Sequence, residues 1–341
     1  MANVLIDERT MHAIGDAIRE KTGKTDLILP SDMPSEIEGI SVGGGDNLAD
    51  AIIEGSVTEV RSNVRSVVDY AFYNFKQITT VNLPAAESIG VSAFYNCDKL
   101  TTANISNTKN IGNSAFYNCI NLQSVNCSNA ISLGNKVFSG CSYLKDVSFP
   151  ELTNVGTNVY ENCTGITTAN FPNLQSIGSS MFNYCYSLKD VNFPAVTSIG
   201  TYAFERCIEL TTIDFPKTKT VGTYAFSNCY KLLSLDFSVL ESIGNYTFYK
   251  CSQFKSLIIR SEKVCALSNI NAFTECYHFN GTVNSTYNPD GLKDGYIYVP
   301  RALVEDYKEA TNWSTFATQF RALEDYTVDG TTTGALDESK I

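Results

Sequence analysis

The sequence predicts an α/β repeat solenoid, and three observations carry the prediction. An Ile/Val/Leu-Gly pair followed by Phe and then Cys recurs every 22 residues, starting at Val67, Ile89, Ile111, Leu133, Val155, Ile177, Ile199, Val221 and Ile243. These nine units follow one another without insertion or deletion, and a degenerate tenth runs through Ile270, Phe273 and Cys276. The second half of each unit alternates apolar and polar residues with period two, as a short half-buried strand does. No unit of this length can bury its apolar side alone, so the units must stack into a shared core with parallel strands about 4.8 Å apart.

Each position of the unit has its own task. In Ile199–Thr220, position 1 is the apolar Ile199 and position 2 is Gly200; eight of the nine units carry Gly at position 2. A glycine at a fixed phase means either a backbone with positive φ or a close approach of neighbouring coils. Position 6 is Phe in eight units and Tyr160 in the other, and position 9 is Cys in eight and Phe75 in the first. The A-F-x-N-C stretch is too short for a full helix and is predicted to form a helical turn or one short helix. Positions 12, 15 and 17 are apolar (Leu210, Ile213 and Phe215 here), and a proline such as Pro84, Pro150, Pro172, Pro194 or Pro216 then ends the extended stretch.

The ends differ from the array. Residues 1–42 read as a small helical module, with a helix over Ile6–Thr22 that begins near Asp7, ends before Gly23 and carries Met11, Ile14 and Ile18 as a stripe. Residues 43–66 read as a Gly-rich joint and an N-terminal cap coil, and 67–276 as the solenoid. Residues 277–326 are predicted to form a C-terminal cap: a strand over Tyr296–Val299, a helix opened by Pro300 with Leu303, Val304 and Tyr307 on one face, and Trp313 and Phe316 packed on the last coil. Residues 327–341 read as a flexible tail.

Composition narrows function. A formal net charge of −11 disfavours nucleic-acid partners and anionic membrane surfaces. That charge belongs to the ends, because residues 51–289 hold 16 acidic and 16 basic groups. No apolar stretch is long enough for membrane insertion, and the first residues do not resemble a secretory signal, which points to synthesis in a cytoplasm. Only two histidines occur, His12 and His278. No G-x-S-x-G, H-E-x-x-H, P-loop or dinucleotide fingerprint appears, so no catalytic residue and no cofactor is expected.

The unit IGxxAFxNCxxLxxVxFPxLxxIG resembles the BspA-like leucine-rich repeats, over residues 67 to about 276. That resemblance implies a leucine-rich repeat solenoid and most often a bacterial cell-surface adhesin that binds host protein or glycan. The opening, IDERTMHAIGDAIREKTGKTDLILPSDMPSEIEGI, resembles the N-terminal module of phage and prophage tail-region proteins of Gram-positive bacteria. It implies attachment to a phage tail or baseplate protein; a helical hairpin that merely caps the solenoid is the alternative.

Of the 11 cysteines, nine share the repeat position: Cys97, Cys119, Cys141, Cys163, Cys185, Cys207, Cys229, Cys251 and Cys276. They read as a column of buried free thiols. Disulfides between adjacent coils are the alternative, though nine do not pair evenly and Phe75 fills the slot in the first unit. A column does not converge on a point, so no metal site is expected.

Binding residues are sought on two surface columns. Strand positions 14 and 16 point away from the core and include Asp190, Asn192, Asp214 and Asp236; they could hydrogen-bond sugar hydroxyls, or simply form a solvated face with ladders between coils. Asp214 and Asp236 share one position in adjacent coils, close to the spacing of a retaining glycosidase pair, but an open ladder offers little to push one pKa up. Tyrosines form the second column: Tyr202, Tyr224 and Tyr246 at position 4, Tyr73, Tyr95, Tyr117 and Tyr249 at position 7, and Tyr186 and Tyr230 at position 10. Tyrosine favours recognition surfaces and stacking on sugar rings, but it also packs along coil edges. The combined expectation is a non-enzymatic virion protein of a phage tail that binds a bacterial surface glycan or protein receptor, with a bacterial cell-surface adhesin as the alternative.

Overall fold

A computed structural model describes residues 58–281, 286 and 290–326. The predicted helical module, most of the N-terminal joint and the C-terminal tail lie outside the described residues. The chain divides into two compact units, residues 1–173 and 174–341.

In the first unit, each coil contributes a three-residue strand and a two-residue strand to parallel sheets; the short strands form one sheet, and the long strands form two, separated between Ser124–Asn126 and Asp146–Ser148. The longer strands Glu59–Arg61, Thr80–Asn82, Thr102–Asn104 and Ser124–Asn126 pair in sequence order, and Asp146–Ser148 pairs with Thr168–Asn170. The shorter strands Ser66–Val67, Ser88–Ile89, Asn110–Ile111, Ser132–Leu133 and Asn154–Val155 form the short-strand sheet. From Thr80 onward the register advances one 22-residue unit per strand, as in Thr80↔Thr102, so like residues stack on like. Between the sheets lie the apolar columns the repeat predicts, among them Phe94, Phe116 and Phe138, whose rings stack 5.1 and 5.5 Å apart.

The second unit repeats this plan. Thr212–Phe215, Ser234–Phe237 and Ser256–Ile259 pair in parallel, and Ser176–Ile177, Ser198–Ile199, Thr220–Val221, Ser242–Ile243 and Ala266–Leu267 form the short-strand sheet. Tyr296–Val299, where the sequence places a strand, extends the long sheet beyond Ser256–Ile259. A strand at Phe320–Ala322, not read from the sequence, follows it. After Pro300, a 3-10 turn at Arg301–Leu303 runs into the helix Val304–Glu309. Trp313 and Phe316 pack on Phe273, with ring centroids 6.3 and 4.9 Å away.

One prediction for the coil needs correction. The A-F-x-N-C stretch is not helical: it is a pair of tight turns with left-handed residues at positions 4 and 8, such as Tyr70 (φ 60°) and Asn74 (φ 60°). Tight turns close through Tyr73 N–H to Tyr70 O and Phe75 N–H to Phe72 O. Alternate N–H groups point out of the coil: Tyr70, Phe72 and Asn74 donate to Val91, Ala93 and Tyr95 of the next coil at 2.8, 2.6 and 2.7 Å. Alternate donors are therefore used between coils, and a continuous α-helical ladder, which needs every one of them within the segment, cannot form. Asparagine tolerates the left-handed region better than most residues, which explains the Asn before the Cys.

Position 2 resolves the two readings of its glycine in favour of close approach. None of these glycines has positive φ. At Gly112 a Cβ would lie 2.7 Å from both the carbonyl carbon of Gly90 and the amide nitrogen of Val91.

The cysteine column is buried and free throughout. Each thiol also has a partner of its own: Cys97, Cys119, Cys141 and Cys163 donate to the carbonyls of Phe72, Phe94, Phe116 and Phe138 at 3.0–3.2 Å. In the second unit, Cys207, Cys229 and Cys251 do the same to Phe182, Phe204 and Phe226. A cysteine fits here because it is small, apolar and still a weak donor.

Candidate binding surface

The strand face is a set of short side chains held in ladders. Asn104 donates to Asn82 Oδ1 at 2.8 Å and Asn126 donates to Asn104 Oδ1 at 3.1 Å. Thr80, Thr102 and Ser124 run beside them over a shallow groove of about 390 Å³. In the second unit, Asn192, Pro194, Thr212, Asp214 and Pro216 line a groove of about 320 Å³. Asp190 is exposed on the same strand as Asn192.

Asp214 and Asp236 are brought side by side by strand register. Burial pushes the Asp214 carboxyl above the usual carboxylate range, Asp236 adds to the rise, and Arg260 opposes it. Asp236 is held by Arg260, whose Nε lies 2.9 and 3.0 Å from the two carboxylate oxygens and whose Nη2 lies 2.7 Å from Oδ2. The two carboxylates are thus unequal: one is clamped by a guanidinium and the other stands at an open groove. Arg260 escaped the sequence reading. Its signal was present, since it interrupts a column otherwise filled by Pro and Ser (Pro194, Pro216, Ser238) one coil beyond the two aspartates.

The tyrosine column is a set of stacks. Tyr202, Tyr224 and Tyr246 lie face to face at 5.1 and 4.9 Å with their planes within 8°, and Tyr249 stands edge-on to Tyr224 and Tyr246. In the first unit, Tyr73, Tyr95 and Tyr117 stack at 4.7 and 4.8 Å. Stacking uses up the inner ring faces, so these rings offer edges rather than a flat platform for sugars; the Tyr246 hydroxyl accepts from Asn271 Nδ2 at 3.2 Å and the Tyr249 hydroxyl donates to Glu275 Oε1 at 3.0 Å. All three of Tyr202, Tyr224 and Tyr246 have left-handed backbones, with φ of 58°, 55° and 52°.

Tyr230 and Tyr186 are placed differently. The Tyr230 hydroxyl donates to Asn228 Oδ1 at 3.1 Å, while Tyr186 is exposed and edge-on to Tyr184 at 6.0 Å. Beside it lies a group the sequence did not single out. The Arg206 guanidinium sits 5.1 Å from the Tyr184 ring centroid, next to Glu205, whose carboxyl is pushed up by burial against the opposing charge of Arg206. The turn residues and the strand-face aspartates occupy different stretches of the coil, and the fold does not bring them into one site. Among the described residues, no helix is long and apolar enough to cross a membrane.

Comparison with known proteins bears on the whole array. Residues 65–189 and 175–286 match the BspA type Leucine rich repeat region in six copies. A leucine-rich repeat protein from Bacteroides ovatus is 24% identical with a TM-score of 0.44, the match covering 61% of this chain and 66% of that one. This chain therefore spans just under two thirds of that protein. A leucine rich cell surface protein from Faecalibacterium prausnitzii is 18% identical with a TM-score of 0.33, covering 75% of this chain and 86% of that one. The leucine-rich repeat protein of T. pallidum is 18% identical with a TM-score of 0.39, covering 66% and 91% respectively. No curated protein matches this chain.

Proposed function

The chain belongs to the BspA-type leucine-rich repeat family, and from that premise we propose a non-enzymatic binding protein of the bacterial surface-adhesin kind. The observation that supports this reading best is the spending of the fold's variable positions on display. Tyrosine edges, hydroxyls and amides are repeated at the coil spacing on the outside of a core that is otherwise uniform from coil to coil. Tyrosines in fixed stacks lose little entropy on binding, which suits a recognition surface.

The expected partner is a protein or glycan on a cell surface. The virion reading draws on residues 1–42 alone; these lie outside the described residues, and the family match begins at residue 65. Attachment to a phage tail or baseplate is therefore not adopted here.

The test is saturable binding of the purified chain to intact bacterial and animal cells, compared with a variant carrying Tyr202→Ser, Tyr224→Ser and Tyr246→Ser. Serine occupies the same left-handed position at Ser92 and Ser114, so the variant should fold. Binding that falls at least about tenfold supports the reading, since it corresponds to about 1.4 kcal/mol of lost contact. Absence of saturable binding to any cell type would overturn it, and recovery of the protein from purified virions by mass spectrometry would restore the tail reading.

A further inference from the structure

The cluster around Arg206 holds two polar atoms that find no hydrogen-bond partner among the described residues. Asn183 is only 7% exposed, yet its Oδ1 has no hydrogen-bond partner. Arg206 Nε is buried and also unpartnered, and among the described residues no carboxylate forms an ion pair with this guanidinium. The backbone stacks the two coils directly, with Tyr184 N–H donating to Glu205 O at 2.9 Å, so Asn183 and Tyr184 lie against Glu205 and Arg206. Burying an amide oxygen and a guanidinium nitrogen without partners costs on the order of 1–3 kcal/mol each, which a folded chain does not carry without reason.

We propose that Asn183, Glu205 and Arg206, with Tyr184 and Tyr186, form a subsite for an acidic N-acetylated sugar, a pyranose bearing both a carboxylate and an acetamido group. The inference rests on the binding role proposed above and names a ligand class for it. Each chemical group of such a sugar has a counterpart here. The planar guanidinium of Arg206, held against Tyr184, presents its fork to a carboxylate. The half-buried Glu205 carboxylate accepts from an acetamido N–H and from ring hydroxyls, with the buried Asn183 amide behind it on the preceding coil. The exposed Tyr186 ring offers a face to the apolar side of a pyranose. On the next coil Arg206 N–H donates to Ser227 O at 2.8 Å, which sets Asn228 and the Tyr230 hydroxyl bonded to it beside the guanidinium; these polar neighbours favour a polyhydroxylated ligand over an apolar peptide side chain.

Two sources share this chemistry, the sialic acids of animal glycans and the muramic acid of bacterial walls. The experiment titrates the full chain with N-acetylneuraminic acid, N-acetylmuramic acid, N-acetylglucosamine and glucuronic acid, following saturation-transfer NMR. At least one of the first two sugars should bind roughly tenfold more tightly than either of the last two, which lack the carboxylate or the acetamido group. Whichever of the two binds names the source. Arg206→Asn, which installs the commonest residue of its repeat position, should weaken that binding roughly tenfold or more, as should Asn183→Ser; Lys250→Asn, at the same repeat position two coils on, should not. Equal binding of N-acetylglucosamine, or an Arg206→Asn variant that binds as well as the parent, overturns the proposal. Loss of sugar binding in a chain that still binds cells would remove the subsite and leave the surface-binding role standing.

Discussion

At the scale of single residues, the repeat separates steric demands from conformational ones. Position 2 needs the absence of a Cβ. A Cβ at Gly222 would meet the carbonyl carbon of Gly200 and the amide nitrogen of Thr201 at 2.7 Å, backbone atoms with no rotamer to escape into. Gly222→Ala should therefore destabilise by about 1–3 kcal/mol, read from urea unfolding midpoints. Position 8 needs only positive φ. Gly140 (φ 82°) follows Asn74, Asn96 and Asn118, which are joined by Nδ2-to-Oδ1 bonds of 2.9 and 2.8 Å. A Cβ at Gly140 would lie 3.2 Å from Asn118 Oδ1 and 3.3 Å from its Cα, a tight fit at a left-handed φ, so in Gly140→Asn steric strain opposes the gain of the next rung. The two effects should leave the variant within about 1 kcal/mol of the parent in urea unfolding. Asp214 supplies a pH test. Its folded pKa is raised, so the folded state holds the proton more tightly and ionisation above the carboxylate range weakens the fold. Asp214→Asn should raise the urea midpoint near neutral pH, and the gain should vanish as pH falls through the ordinary aspartate range. A gain that stays constant with pH would show that the charge is not the cause.

At the scale of elements, what was legible in the sequence follows from how each element is specified. Strands and register were readable because a side-chain period of two, repeated every 22 residues, leaves one alignment that buries Ile213, Leu235 and Leu257 together. The turn segment was misread because its pattern of Ala, Phe and Cys is equally compatible with a helical turn; the decisive fact, hydrogen bonding to the next coil, is tertiary. The tyrosine columns were visible as positions, but not as stacks whose faces are consumed. Arg206 and Arg260 were missed because each breaks a column in one coil, and a search for columns passes over the position that breaks one. The C-terminal cap shows how an array can end without exposing its last coil. Trp313 Nε1 donates to Cys265 O at 2.7 Å, and Cys265 N–H donates to the Tyr307 hydroxyl at 2.9 Å, so two cap side chains satisfy the backbone of one residue. Trp313→Phe keeps most of the ring but orphans that carbonyl, and should cost about 1–3 kcal/mol. Hydrogen exchange should show the loss concentrated between residues 260 and 326.

At the scale of the whole molecule, the cysteines make the integrity of every coil measurable. All 11 thiols are free and buried, and they are spaced from Cys97 to Cys276. Burial pushes the thiols up, Cys265 to about 12 and Cys141 further, so thiolate is scarce even where reagent can reach. A thiol-specific chromogenic reagent should thus find essentially none of them in the native chain and all 11 after denaturation. The order of reaction at intermediate denaturant then reports which coils open first. Since each coil contacts only its neighbours, opening should begin at a weakened end rather than in the middle. Cys265 and Cys276, beneath the cap, should become reactive ahead of the other nine in the Trp313→Phe variant, with the carbonyl bond of Cys265 lost. Mass spectrometry of the labelled peptides identifies them. Simultaneous labelling of all 11 in that variant would mean that the array unfolds as one cooperative body and that the cap protects the whole of it.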